Sequence, residues 1–203
     1  MDAKAHPDGG AGILSSDRLA SLSDTIFGVA MTLLASTLLP SISGLRGSAI
    51  DMLRDLAGPL ETIVLSFSIA ASYWLVQQRR LAMCGSVTSL QAVLNLMFLF
   101  LFVLLPISTG LWGRFDTAAR GVVMIYGAHL ALIAVVNLLL WIDVHRGAAA
   151  HAQILRSSVA LALFLAALAV GAIRPQLAQY LWFAVFATTL MGRGLTRRIW
   201  GKG

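Results

Sequence analysis

The sequence predicts an all-α, polytopic membrane protein with six transmembrane helices, and three observations carry that expectation. Of its 203 residues, 58% are hydrophobic and only 12% charged, against about 45–50% and about 25% in soluble domains. Mean hydropathy is +0.82, so there is too little polar material to cover a water-facing surface. Six segments also approach the ~20 apolar residues that a helix needs to cross a hydrocarbon core of roughly 30 Å. High apolar content with a single cysteine excludes the disordered and disulfide-scaffold classes.

The first segment runs from about Leu22 to Leu39 and is stopped by Pro40. It reads as a retained span, because Asp17 and Asp24 stand where a cleavable signal peptide carries positive charge. The second runs from about Leu60 to Val76, ahead of Gln77-Gln78-Arg79-Arg80, and the third from about Val87 to Leu111 with Pro106 inside it as a kink. The fourth covers Gly121 to Ile142. The fifth covers Ser157 to Ile173, where Arg174-Pro175 breaks it, and a short sixth covers Gln176 to Met191. The resulting plan is a flexible leader over 1–17, a six-helix transmembrane domain over 18–194 and a basic tail over 195–203.

Basic residues counted loop by loop give the orientation. Ten of the 15 Lys and Arg fall on the side that holds both termini, Arg79, Arg80 and the tail among them. Both termini are therefore expected in the cytoplasm, with the chain a multi-pass protein of a prokaryotic inner or plasma membrane. The net charge of +6 reads as this topology signal, and no nucleic acid is expected as a partner, because no binding fold surrounds the basic tail.

No enzyme is expected. The chain has no G-x-S-x-G, H-E-x-x-H, Walker or dinucleotide glycine pattern. His6, His129, His145 and His151 show no paired ligand spacing and Cys84 stands alone, so no cofactor and no resident metal is expected. There is no TVGYG filter and no Arg-rich voltage sensor. His129 falls within the fourth span, where it is either satisfied by a neighbouring helix or functional.

The first span and its approach are the informative stretch. Arg18 and Asp24 lie six apart, too far to pair as directly as an i,i+4 couple, so each is expected to find a partner on another helix. Alternatively, Ser23 or Asp24 simply caps the helix start. Further in, Leu22, Ile26, Val29, Leu33 and Ser36 form a helical stripe. Spacing leaves open whether that stripe is packing, a lipid-facing surface or a constriction around a symmetry axis. Asn95 and Asn137, in apolar runs, read as helix-to-helix glue.

At these residues the sequence resembles the endolysosomal potassium channel family (the transmembrane protein 175 family), in particular its small single-repeat prokaryotic members. The family's Arg-x-x-x-Phe-Ser-Asp motif stands as Arg18-Leu19-Ala20-Ser21-Leu22-Ser23-Asp24, with Leu22 in place of Phe. Thr25 to Leu34 is similar to the family's first helix, and Trp74, Asn95 and Leu105-Pro106-Ile107-Ser108-Thr109 add support. The resemblance implies a potassium-permeable cation channel without a P-loop, a homotetramer whose first helices line a central pore. It implies Val29 as the inner constriction, Leu33 as the next layer, Ser36 at a third layer that is bulky in related channels, and Thr32 beside selectivity. Arg18, Ser23 and Asp24 match a cytoplasmic network that ties the first helix to Trp74 and its neighbours. Gln77 stands where the family often has His, which removes a titratable partner. The implied partners are three further copies of the chain, permeating potassium ions and the lipid bilayer. The competing readings are a secondary transporter or proton-linked carrier, for which no inverted repeat is visible, and a non-conducting assembly protein.

Overall fold

Residues 14–43, 47–84, 86–114, 119–144 and 148–186 are described by the computed structural model of the chain, and nearly all of them are helical. Helix α1 (Ser16–Ser36) begins after Ser15, which is in extended conformation, with Asp17 in its first turn, where the helix dipole favours negative charge. Ser23 and Asp24 therefore lie well inside the helix, and the capping alternative is corrected. Pro40 does not end α1. The helix closes at Thr37, and Pro40 opens the single turn α2 (Leu39–Ile42), where its missing N–H costs nothing.

Helix α3 (Ala49–Ala82) spans 34 residues and starts well before the expected Leu60. Its start is a capping box: the Ser48 N–H donates to Asp51 Oδ2 at 3.2 Å, while Ser48 Oγ accepts from the Asp51 N–H. The charged run Asp51, Arg54, Asp55 hid this turn from an apolar window, although it is helical. At 1.5 Å per residue α3 is about 50 Å long, so it projects well beyond a hydrocarbon core of roughly 30 Å. Helix α4 (Ser89–Arg114) opens on a second box, in which the Thr88 N–H donates to Gln91 Oε1 and the Gln91 N–H to Thr88 Oγ1, at 3.1 and 3.2 Å. Helices α5 (Arg120–Asp143) and α6 (Ala148–Ile173) follow.

After the break at Arg174 the chain is helical again over 175–186. The rest of the expected sixth span, most of the leader and the basic tail lie outside the described residues. Five helices among the described residues are long and apolar enough to cross a membrane, and the chain is a multi-pass membrane protein.

Two short strands, β1 (Leu14–Ser15) and β2 (Ser86–Val87), pair antiparallel and tie the entry of α1 to the connection between α3 and α4. Helix α1 packs on α3 and α4, α4 packs on α5, and α5 on α6. The core is aromatic at two levels. Phe27 of α1 packs tilted against Phe102 at 4.5 Å between centroids, with Phe98 5.0 Å from Phe102. Further along, Trp112, Tyr126 and Trp182 meet pairwise at 4.9–5.0 Å. Trp182 is fully buried, so the 175–186 helix is anchored in the bundle. Gly127 permits the close approach of α5 and α6, since a Cβ there would lie 3.0 Å from Leu168 Cδ2.

Candidate functional site

Helix α1 has two unlike faces. Leu19, Ser23, Phe27, Ala30 and Leu34 recur at i,i+4 and i,i+3 spacing and are buried against α3 and α4. Roughly a quarter turn away lies the stripe singled out in the sequence. Leu22 is 41%, Val29 53% and Leu33 45% exposed, Ile26 is half-buried and Ser36 exposed. From Leu22 to Ser36 this face extends about 21 Å along the helix, most of a hydrocarbon thickness. Apart from the half-buried Ile26, nothing among the described residues covers it.

Two hydroxyls beside the apolar stripe are tied to their own helix. Thr32 Oγ1 donates to the Val29 carbonyl at 2.8 Å, and Ser36 Oγ to the Leu33 carbonyl at 2.6 Å. With each proton directed to the backbone, both oxygens are left as acceptors for whatever passes the exposed face. They satisfy themselves locally, so they need no partner from another helix.

Toward the N-terminal end of α1 the polar groups behave differently. Asp24 Oδ1 accepts from Trp74 Nε1 at 2.8 Å and also from Gln78 Nε2; Trp74 and Gln78 stand one turn apart on α3 and clamp the carboxylate. One residue earlier, Ser23 Oγ donates to the Leu19 carbonyl at 2.7 Å and accepts from Gln77 Nε2 at 3.1 Å. Gln77 also donates to Asn95 Oδ1 and accepts from Arg80 Nη2. Arg80 continues the chain to Asn95 Oδ1 at 3.2 Å and to Asn137 Oδ1 at 3.3 Å, and Asn137 Nδ2 donates to Ser157 Oγ at 3.0 Å. One connected run of polar side chains thus crosses from α1 through α3, α4 and α5 to α6.

Arg80 is the unexpected member. It is 1% exposed, and none of the hydrogen bonds described for it goes to a carboxylate. A buried charge is costly unless paired or hydrogen-bonded. Here three amide oxygens surround the guanidinium, and the Phe98 ring lies 5.4 Å from its central carbon. By sequence alone Arg80 reads as one of the cytoplasmic loop charges, whereas the structure buries it. The missed signal was periodicity: Ile69, Tyr73, Gln77 and Arg80 continue one buried face through the polar run. Ser157 and Gln78 were missed for the same reason, as ordinary residues of a polar helix end. Of the residues expected together, Ser23, Asp24, Trp74 and Gln77 do meet. Arg18 does not join them: its side chain is exposed, and it makes none of the hydrogen bonds or ion pairs described.

Asn95 and Asn137 are buried and link helices. His129 is held by α4 on both ring nitrogens, Nδ1 by Ser108 Oγ at 2.7 Å and Nε2 by the Leu101 carbonyl at 2.9 Å. A carbonyl can only accept, so Nε2 carries the proton. A further buried trio joins Thr109 Oγ1, Ser66 Oγ and Tyr126 OH at 2.8 and 2.7 Å. No group of metal-binding side chains is found among the described residues.

Comparison with known proteins places this geometry. The family described as "Endosomal/lysosomal potassium channel TMEM175" matches residues 18–106, from the motif through α3 and into α4. Among solved structures, the chain is similar to a crystal structure of a lysosomal potassium-selective channel TMEM175 homologue from Chamaesiphon minutus. The likeness has a TM-score of 0.73 at 20% identity and covers 87% of this chain and 96% of that one. No curated protein matches. The resemblance read from the motif is thus shown: residues 18–106 carry the family's sequence pattern, and the described helices carry the fold of a member.

Proposed function

We propose that this chain is a potassium-permeable cation channel without a P-loop filter, assembled as a homotetramer with α1 at the axis. The observation that carries the reading is the uncovered face of α1. Leu22, Val29, Leu33 and Ser36 face outward along a helix whose other side is fixed to α3 and α4, in a chain whose residues 18–106 match a potassium-channel family. Four such faces around one axis would make a narrow tube with Val29 and Leu33 as its constriction and the shorter Ser36 leaving a wider outer end.

The physics of such a gate follows from its chemistry. A narrow ring of Val and Leu sheds water, and an ion there has no oxygens to replace its hydration shell, so conduction stops. Four such faces would meet by packing alone, with no hydrogen bond or ion pair to break, and the cost of opening is that of exposing the Val29 and Leu33 side chains to water. A tilt of α1 would widen the ring until water enters and conduction becomes possible. Thr32, with an acceptor oxygen beside the ring, is placed to contribute to selectivity. Ser23, Asp24, Trp74 and Gln77 hold the N-terminal half of α1 to α3 and fix the angle from which it tilts; Arg18, exposed at the same end, is available to a neighbouring copy. The basic end of the bundle faces the cytoplasm in this reading, with Asp24 raising cation concentration at that mouth.

The test is potassium efflux from liposomes containing the purified chain, read alongside its oligomeric state in detergent. Efflux above protein-free liposomes from a four-copy species is expected. A monomer, or vesicles no leakier than empty ones, would sink the channel reading and leave α1's open face as an assembly surface.

A further inference from the structure

At the end of the bundle opposite Arg79 and Arg80, two charges of opposite sign stand apart. Glu61 of α3 and Arg114, in the last turn of α4, are both exposed and make none of the hydrogen bonds or ion pairs found among the described residues. Arg54, by contrast, approaches Asp51 of its own helix at 4.0 Å. Nineteen residues separate Glu61 from Arg80, about 28 Å of helix, so Glu61 lies near the far edge of the hydrocarbon. A carboxylate at that depth is costly unless it stays wet or meets a cation. Both charges lie at one level of the bundle. Gly113, beside Arg114, faces the turn that holds Glu61: a Cβ there would lie 4.0 Å from Pro59 Cα and 3.9 Å from Thr62 Cγ2. Each charge also prolongs an exposed apolar face, Glu61 that of Val64 on α3 and Arg114 that of Ile107 and Leu111 on α4.

We propose that Glu61 of one copy pairs with Arg114 of the next, where the exposed face of α3 meets that of α4; this rests on the reading of a tetramer with α1 at its axis. Helices α1, α3 and α4 each pack on the other two. With the open face of α1 turned to the axis, α3 and α4 stand behind it on opposite flanks, so the α3 flank of each copy comes beside the α4 flank of its neighbour. A head-to-tail contact of this kind is satisfied throughout only when the ring closes. Rotation about an axis along the membrane normal keeps every residue at its own depth, so a contact between copies joins residues of one level. Glu61 and Arg114 meet that condition and carry opposite charges. Asp55 is also exposed, but it stands six residues before Glu61, about 9 Å farther out along α3.

The experiment is disulfide trapping between differently tagged full-length chains, read alongside native mass spectrometry of the unaltered protein. Both chains carry Cys84→Ser, which removes the native thiol; one also carries Glu61→Cys and the other Arg114→Cys. Coexpressed and oxidised with copper phenanthroline in membranes, they should yield a covalent dimer holding both tags, and neither chain expressed alone should yield a dimer. A four-copy species with no mixed dimer overturns the proposed interface and leaves the tetramer standing. The absence of a four-copy species fails the tetramer and the interface together. Charge reversal is the second arm. Glu61→Arg and Arg114→Glu should each raise the protein concentration needed for half-assembly in detergent by roughly threefold to tenfold, the range for an exposed pair repeated at each interface. The double reversal E61R/R114E should restore assembly, and Asp55→Asn should leave it unchanged. Should a reversal not elute as a single species, Glu61→Gln and Arg114→Gln take its place. Unchanged assembly in both single variants overturns the pairing, as does a double reversal no better assembled than either single one.

Discussion

The outward face of α1 and the polar interior at the basic end of the bundle solve the membrane problem in opposite ways. On α1, Leu22, Val29 and Leu33 are exposed, and the hydroxyls among them bond only to their own backbone. In the interior, Ser23, Gln77, Arg80, Asn95, Asn137 and Ser157 are buried and hold one another across five helices. The first region asks nothing of its neighbours in the chain and can meet other copies or part from them. The second loses hydrogen bonds with any relative movement of its helices. The two halves of α1 are thus held differently: the first is fixed to α3 by directional bonds, while further along Phe27, Ala30 and Leu34 hold the inner side by packing and the outward face stays exposed.

Removing the centre of the interior network should have the largest effect. Arg80→Leu keeps apolar volume but strands the amide oxygens of Gln77 and Asn137 away from water and leaves Asn95 Oδ1 only its bond from Gln77, at a cost of about 1–3 kcal/mol for each stranded oxygen. Thermal unfolding of the variant in detergent should show a large loss, or no folded protein at all. Arg80→Lys should recover only part of it, since an ammonium cannot fork across partners on three sides. A variant as stable as the parent would mean that this network does not hold the helices together.

The opposite change, polarity added to the outward face, should leave folding alone and alter flux. If four copies of α1 meet at an axis as proposed, Val29→Asn would lay a ring of amides across the constriction. If wetting gains about 1.4 kcal/mol, resting potassium efflux from liposomes rises roughly tenfold. Unchanged efflux removes Val29 from the permeation path; a fall in stability would mean that the face is packed rather than open.

Between these extremes stands Asp24, exposed yet clamped by α3. Asp24→Ala deletes the acceptor shared by Trp74 and Gln78 and should cost about 1 kcal/mol, less than a buried charge-assisted pair because the site is exposed. Tetramer assembly measured by size exclusion is expected to weaken with it. Intact assembly and unfolding temperature would reduce the clamp to an incidental contact.

How much of this was legible in the sequence follows from which force writes each feature. Five of the expected spans were readable because lipid demands long apolar runs, and the boundaries at Arg174-Pro175 and after Ile142 fell where that demand stops, whereas α6 begins at Ala148, before the expected Ser157. The start of α3 was not, because the turns after Ala49 carry Asp51, Arg54 and Asp55 and project beyond the apolar zone. Their signal is the local pair Ser48 and Asp51, a cap rather than a hydropathy feature. On α1, the stripe was visible as periodicity, but spacing alone gives several faces. Only the burial of Phe27, Ala30 and Leu34 on the other side shows which one is open. Arg80 was misplaced because charge at a helix end is normally a solvent or topology signal, and its burial depends on Asn95 and Asn137, 15 and 57 residues away. Such non-local compensation leaves no local pattern.

The smallest effect on stability should come from Thr32, and it separates the two regions most cleanly. A hydroxyl in the interior network belongs to other helices. The Thr32 hydroxyl belongs to the Val29 carbonyl one turn back, which in a regular helix already accepts a backbone bond. Thr32→Val is nearly isosteric and removes only this redundant bond, so unfolding should shift by no more than about 0.5 kcal/mol. The oxygen it removes is nevertheless a side-chain acceptor on the exposed face beside Val29. If the outward face lines a pore, the ratio of potassium to sodium efflux should fall while assembly and stability hold. If stability falls and the ratio stays, Thr32 is a packing residue, and the separation drawn between the open and the bonded faces of α1 ends at Asp24.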